Sequence, residues 1–381
     1  MRILVSAGEA SGDMYAAQLV NSLREHRNGI SFFGCTGPRL KEAGVETVID
    51  AGKLAVVGLA EVVTHLPGIY REYRRLLRLI RKNPPDAAIL ADSPDFHLRL
   101  ARHLKRLGTP VYYLVAPQVW AWRQGRVRQI SERVKKLFCL FPFEQAWFRD
   151  RGVDAYYIGH PLAAKVKPRW TKQEFFERHG LCPDTQTIAL LPGSRAGEAR
   201  RHMPDVLGAV ELLRRQFRLQ FILGTPHGFA QRGVYATFRE RISALSIKVI
   251  EDEPWDVLAH ADVALAASGT VTVEAAVLGT PMVTFYKVTN LSWRAGRWLV
   301  KAPYLSMVNL IAGSLVVPEH IQMDMTPENL AHSTATLLQE PGKAQQMRAE
   351  LLQIKGSLTG SADPLLTAAS IIAADLDHAT S

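Results

Sequence analysis

The sequence predicts an α/β protein made of two doubly wound domains, each a parallel sheet covered by helices on both faces. Three observations carry this. Short β-rich apolar runs alternate with amphipathic segments along the chain. The alternation breaks once, at a charged, proline-containing connector, and then restarts. The chain's 381 residues suit about two domains of ordinary size. Hydrophobic residues at 47% and charged residues at 22% belong to globular domains rather than to disorder.

In the first half, residues 2–6, 31–36, 87–91, 110–115 and 136–140 read as strands, with helices over 15–24, 69–81 and 98–107. A further run, 156–160, leads into Pro161 and Pro168. Strands then recur at 187–191, 220–223, 247–250, 263–266 and 281–285. The expected domains are 1–165 and 166–345, followed by a helical segment, 346–381, that returns to an N-terminal domain. Two such sheets facing each other leave a central cleft at the carboxyl ends of their strands, where ligands of this architecture bind.

Charge is distributed unevenly. Residues 1–165 hold 25 Lys and Arg against 15 Asp and Glu, whereas residues 166–381 hold 21 of each, so the excess of +10 lies in the first half. A basic surface of this kind attracts anionic lipid, nucleic acid or a phosphorylated substrate. Cys35, Cys139 and Cys182 stand far apart, which disfavours a disulfide framework or zinc site and suits a reducing cytosol. Met1 runs directly into the first strand and no apolar stretch reaches the ~18 residues of a membrane span. A soluble or peripheral protein without a secretory leader is expected.

The candidate site residues follow in chain order. Ala7-Gly-Glu-Ala-Ser-Gly-Asp13 closes the first strand; Gly8 and Gly12 permit a tight turn, and Ser11 or Asp13 suits a cap of the next helix. This turn, with Glu9, would open onto the substrate side of the sheet. Residues 54–63 are apolar except for Glu61 and precede Arg71, Arg74, Arg75, Arg78 and Arg81. Val56, Val57, Leu59, Val62 and Val63 therefore form a candidate membrane patch, the alternative being a helix packed on the sheet with a solvated basic face. Trp293, Arg294, Arg297 and Trp298 form a second such candidate. Asp92-Ser-Pro-Asp-Phe96 follows a strand, and Asp92 at its carboxyl end suits a general base, with Asp95 structural. Pro117-Gln-Val-Trp-Ala-Trp-Arg123 places Trp120 and Trp122 beside Arg123, a pattern open to sugars, acyl chains or nucleic acid. Without a nucleic-acid fold motif, nucleic acid is not expected as a partner.

In the second half, Gly193, Ser194 and Arg195 end a strand with backbone N–H groups, a hydroxyl and a guanidinium, a set that suits phosphate; alone it is equally a turn with a surface Arg. Ser268, Gly269 and Thr270 stand where a helix starts, so a pyrophosphate can meet free N–H groups there. Glu274, on the same helix, can accept bonds from ribose hydroxyls, or serve only the helix start. Neither segment is a P-loop or a G-x-G-x-x-G fingerprint, so the nucleotide reads as a leaving group carrying a sugar. The one D-x-D, Asp375-Leu-Asp377, lies in the tail and reads as solvent-facing charge.

The ordered set Gly8–Asp13, Asp92–Phe96, Pro117–Arg123, Phe141-Pro-Phe-Glu144, Ile158-Gly-His-Pro161, Leu191-Pro-Gly-Ser-Arg195, Ser268–Glu274 and Asn309-Leu-Ile-Ala-Gly313 resembles the lipid A disaccharide synthase family. The resemblance implies a GT-B fold of two Rossmann-like domains. It also implies transfer of 2,3-diacylglucosamine from UDP to the 6-hydroxyl of 2,3-diacylglucosamine 1-phosphate (lipid X), with inversion to a β-1,6 linkage. No cofactor or metal is expected, UDP being part of the donor. The resemblance further implies peripheral contact with the anionic inner face of a bacterial inner membrane and a homodimer through C-terminal segment exchange. Asn309 would orient donor groups near the reacting centre. Two positions depart from the family pattern: His97 stands in place of Asn, and Met307-Val308 in place of Leu-Pro. Rival readings are another UDP-sugar enzyme of this architecture (a UDP-N-acetylglucosamine 2-epimerase or the peptidoglycan N-acetylglucosaminyl transferase) or a non-catalytic nucleotide-sugar-binding module.

Overall fold

Ala87-Ala-Ile-Leu-Ala91 is buried at every position, as a strand covered on both faces must be. The same holds for nearly all of Arg2–Ala7, Gln186–Leu191 and Val263–Ala267. The computed structural model describes residues 1–27, 29–53, 59–228, 234–289, 293–294, 302–360 and 363–378. The chain divides into two units: Met1–Pro161 with Thr359–Ser381, and Leu162–Leu358.

The first unit holds a seven-stranded sheet: β1 (Arg2–Ala7), β2 (Ser31–Thr36), β3 (Glu46–Asp50), β4 (Ala87–Ala91), β5 (Val111–Leu114), β6 (Lys136–Cys139) and β7 (Ala155–Tyr157). All neighbours are parallel, in the order β3-β2-β1-β4-β5-β6-β7. The second unit has six parallel strands: β8 (Gln186–Leu191), β9 (Leu219–Thr225), β10 (Lys248–Glu251), β11 (Val263–Ala267), β12 (Met282–Tyr286) and β13 (Glu319–Ile321). Their order is β10-β9-β8-β11-β12-β13. Each unit thus has the doubly wound order, reversing direction between its first and fourth strands. That reversal makes β1 and β4 neighbours in one sheet and β8 and β11 neighbours in the other. The loops that follow these strands are therefore brought together in pairs.

The Ala10–His26 helix buries Tyr15, Ala16, Leu19, Val20 and Leu23, a stripe at helical spacing. Against this core the Pro364–His378 helix lays Leu365, Ala368, Ala369, Ile372 and Leu376. The preceding helix, Pro341–Thr359, packs instead in the second unit, where Met347 Sδ accepts from the Met282 N–H and Leu352 lies over Gly279. The C-terminal chain accordingly divides between its last two helices rather than at residue 345. The tail carboxylates are not loose charge. Asp375 accepts from the Tyr112 hydroxyl at 2.5 Å and pairs with Lys135 at 2.8 Å, and Asp377 pairs with Arg27.

Candidate functional site

In the first unit, the loop after β1 and the loop after β4 meet at Asp92. Its Oδ1 accepts from the Gly8 N–H at 3.0 Å and its Oδ2 from the Glu9 N–H at 3.1 Å. Asp92 (φ 57°) and Ser93 (φ 38°) both lie in the left-handed region, a conformation that non-glycine residues adopt at a cost and that concentrates at functional sites. The nearby glycines are a packing requirement. A Cβ on Gly12 would lie 1.6 Å from Asp92 Oδ2, and one on Gly8 would lie 2.1 Å from Ser93 Oγ. Burial pushes the Asp92 carboxyl up to about 6, against the opposing hydrogen bonds from Ser93, Gly8 and Glu9. The result is an oriented carboxylate, ionised at neutral pH yet basic enough to take a proton.

Behind this loop, the Asp92 carbonyl accepts from the Tyr113 hydroxyl and from His97 Nδ1, the latter at 2.8 Å. The Ser6 hydroxyl lies 2.8 Å from His97 Nε2. Sequence reasoning missed Ser6 and Tyr113. For Ser6, a lone hydroxyl within the apolar run Ile3–Ala7 was the available signal. Glu9 and Ser11 are exposed, and Ser11 caps nothing in the structure. Asp13 is buried and caps a different helix from the expected one, accepting from the Gly37, Arg39 and Leu40 N–H groups at the start of Pro38–Glu42. Asp95 pairs with Arg126 and, at 3.5 Å, with Arg123.

The aromatic segment corrects one expectation. Trp120 is buried, donating Nε1–H to Glu144 at 3.0 Å and packing edge-on against Phe143. It offers no face to a lipid, because its indole fills a core site. Glu144 is itself fully buried, and burial pushes its carboxyl up to about 7. Trp122 is exposed at 38%, with the Arg123 guanidinium 4.4 Å over its ring.

In the second unit, the reversal between β8 and β11 places two helix starts at adjacent strand ends. After β8, Gly193 takes φ 120°, and the Ala196–Gln216 helix begins with no side-chain cap from Arg195. After β11, the Thr270–Leu278 helix begins behind Gly269, again without a side-chain cap. Ser194, Arg195, Gly269 and Thr270 are exposed. Uncapped helix starts leave N–H groups and a positive dipole end for an anion. The Arg195 guanidinium is 74% exposed and lies 3.3 Å from Glu198. Ser268 donates to the Leu305 carbonyl, which ties this loop to the segment before Asn309. Burial raises the Glu274 carboxyl, opposed by a hydrogen bond from Trp255. His202 fixes the loop after β8 from behind: its Nδ1 donates to Pro192 O at 2.7 Å and its Nε2 accepts from the Lys287 N–H at 3.0 Å.

Asn309 is not placed to touch a substrate. Its amide nitrogen donates to Val317 O and Glu319 Oε1, and its oxygen accepts from the Val316 and Val317 N–H groups. It is fully buried with every hydrogen-bonding position used, so it staples the Met307–Ala312 helix to the segment that follows it. Glu319, which sequence reasoning missed, completes that staple by accepting from Leu305 N and Ser306 N.

Of the candidate membrane patch, Val56 and Val57 lie outside the described residues, as do the side chains of Leu59, Val62 and Val63. Arg297 and Trp298 also lie outside them. Further along the Leu59–Lys82 helix, Leu76, Leu77 and Ile80 are buried while Arg71, Arg74, Arg75, Arg78 and Arg81 are exposed. Among the described residues, no helix is long and apolar enough to cross a membrane.

Residues 3–363 match the model of the family described as Lipid-A-disaccharide synthetase. The chain is 56% identical over 359 residues to "Lipid-A-disaccharide synthase" of Solibacter usitatus (strain Ellin6076), covering 94% of this chain and 93% of that protein. It is 40% identical over 364 residues to the protein of that name from Myxococcus xanthus (strain DK1622), covering 95% and 94%. Among solved structures, UDP-GlcNAc 2-epimerase from Neisseria meningitidis bound to UDP-GlcNAc is similar with TM-score 0.63 and 15% identity, covering 99% of both chains. The S. aureus MnaA–UDP co-structure is similar with TM-score 0.63 and 12% identity, covering 96% of this chain and 94% of that one. These likenesses place both units in the GT-B fold.

Proposed function

This chain belongs to the lipid-A-disaccharide synthetase family, and we propose that it is an inverting transferase that moves 2,3-diacylglucosamine from UDP to lipid X. The observation that carries the mechanism is Asp92: a carboxylate held by two backbone N–H groups at a strand reversal, with its basicity raised by burial. The acceptor 6-hydroxyl gives its proton to Asp92 as its oxygen attacks the anomeric carbon. The bond from that carbon to the β-phosphate oxygen breaks, and UDP leaves with the electron pair. One displacement inverts the centre and gives the β-1,6 linkage. General-base assistance of this kind is worth about 10²–10⁴ in rate.

The donor's diphosphate is assigned to the two uncapped helix starts, with Gly193, Ser194, Arg195, Ser268, Gly269 and Thr270 around it and Glu274 on the ribose. Charge developing on UDP would meet Arg195 and the free N–H groups, and preorganised donors of this kind supply most of the transition-state stabilisation in many enzymes. Because this set already answers the charge on the leaving group, no metal enters the step, and activity is expected to persist in excess EDTA. A loss of turnover in EDTA that Mg²⁺ restores would count against that part of the reading.

The acceptor is assigned to the first unit, beside Gly8, Glu9, Ser11, Gly12, Trp122 and Arg123. Its basic excess suits both an anionic inner-membrane surface and the acceptor phosphate. A homodimer by exchange of the C-terminal segment is part of the same reading, to be checked by light scattering. The test of function is incubation with UDP-2,3-diacylglucosamine and lipid X, followed by mass detection of the disaccharide 1-phosphate. Intact, dispersed substrates that give no product would overturn it.

A further inference from the structure

Asp92 can act as a base only if its carboxylate stays against Gly8 and Glu9, and that depends on a backbone conformation the residue does not favour. Two consecutive left-handed residues, Asp92 and Ser93, need outside support to persist. The Asp92 N–H donates to the Leu114 carbonyl and the Ser93 carbonyl accepts from the Phe96 and His97 N–H groups. Between them the Asp92 carbonyl oxygen accepts from two side chains, the Tyr113 hydroxyl and His97 Nδ1. A carbonyl can only accept, so Nδ1 of His97 carries the hydrogen. Nε2 of the neutral ring is then an acceptor, and the Ser6 hydroxyl, 91 residues away in sequence, donates to it at 2.8 Å. The ring is fully buried, wedged edge-on between Phe96 and Tyr113. It has one orientation available, and that orientation fixes the Asp92 peptide.

We infer that His97 is a positioning residue for the transfer reaction: its Nδ1–H clamps the Asp92 carbonyl and so aims the carboxylate. The inference rests on Asp92 being the base. It extends that reading from the carboxylate to a buried chain, Ser6 to His97 to the Asp92 peptide, that touches no substrate. Burial also keeps the imidazole neutral, pushing it down to about 4, so the donor and acceptor ends stay distinct across the working pH range.

Two shorter amides separate this role from simple core filling. In His97→Asn the side-chain amide reaches the position of Nδ1 and can still donate to Asp92, while the bond to Ser6 is lost. In His97→Gln the amide reaches the position of Nε2, which keeps Ser6 and loses Asp92. The clamp therefore predicts that His97→Gln loses at least ~10-fold in kcat while His97→Asn stays within ~3-fold of wild type, misplacement of a base by an ångström being worth up to ~100-fold. KM for the UDP-sugar and the affinity for UDP should be unchanged in both. Tyr113→Phe, which removes the second donor to the same carbonyl, should lower kcat in the same way. Equal turnover of the Asn and Gln variants, or better turnover by Gln, would overturn the clamp. So would a loss that appears in KM or UDP affinity instead of kcat. Asp92→Ala is measured alongside: wild-type turnover there would remove the base itself, whereas an inactive Asp92→Ala with a normal His97→Gln would remove only the clamp.

Discussion

Asp92 joins reactivity to instability, and its pH behaviour should show both. Its carboxyl is pushed up to about 6 by burial, so the base is proton-free only above that value. The profile of kcat/KM should therefore rise with pH through an acid limb centred near 6, and the limb should vanish in Asp92→Asn. A limb below pH 5, near an ordinary carboxylate, would contradict the assignment. The same shift has a stability consequence of fixed sign. The folded value lies above the unfolded one, so the contribution of Asp92 is present below about 4 and is lost as pH rises through 6. The melting temperature of Asp92→Asn should accordingly gain on that of wild type as pH rises from 4 to 8. Gly12→Ala tests the packing: its Cβ would overlap Asp92 Oδ2, so the carboxylate must leave its two N–H donors. We expect turnover to fall at least ~10-fold with the fold retained. Asp92 was legible in the sequence because a polar residue closes an apolar run at a strand end. The role of His97 was not legible, because the tautomer of its ring is set by the Asp92 carbonyl and matched by Ser6, which only the fold brings to the same ring. Asn309 misled for the opposite reason: a lone Asn serves structural and substrate chemistry alike, and here four bonds to the chain at Val316, Val317 and Glu319 use the whole amide.

At the scale of elements, the strands buried on both faces are legible from their unbroken apolar runs. The first-half edge strand Glu46–Asp50 and the short Glu319–Ile321 are not. Both carry charge within the strand, as edges often do, and so lack the apolar signature. The sequence of the Leu59–Lys82 helix suits either a membrane-facing or a core-packed element. Its described part has both faces: Leu76, Leu77 and Ile80 are buried, and the arginines lie exposed on the opposite side. Those arginines give a test independent of the apolar patch. Arg74→Glu, Arg75→Glu and Arg78→Glu together should weaken binding to anionic vesicles at least ~10-fold, at about 1 kcal/mol per basic residue near the surface. Melting temperature should hardly change, because none of the three is buried. Unaltered vesicle binding in co-sedimentation would assign the helix to the fold alone. Glu144 gives a second test at this scale, since its carboxyl closes a core element through Trp120. Pushed up to about 7, it contributes stability below about 4.5 that is lost as pH rises through 7. Glu144→Gln should thus gain on wild type between pH 5 and pH 8, by on the order of 3 kcal/mol, as read by denaturant melts at the two pH values.

For the whole molecule, the chain's last helix closes the first unit, although most of that unit is built from the first 161 residues. Leu365, Ala368, Ala369, Ile372 and Leu376 complete the core beneath the Ala10–His26 helix, and Asp375 ties the same helix to Tyr112 and Lys135. The sequence shows a helical tail and suggests its return, but an apolar stripe does not say which core it completes. Removing the chain after Gly360 would expose that core. At about 1.5–3 kcal/mol for each of the three large apolar side chains, the loss approaches ~5–9 kcal/mol as an upper estimate, comparable to the whole stability of many domains. The truncated chain should therefore lose the first unit's melting transition, and with it transfer activity. The helix belongs to the first unit, so UDP affinity measured by calorimetry should survive at low temperature. A truncated chain that melts like wild type would show that the tail is not part of the first unit's core. Loss of UDP binding together with the fold would instead show that the two units do not stand independently.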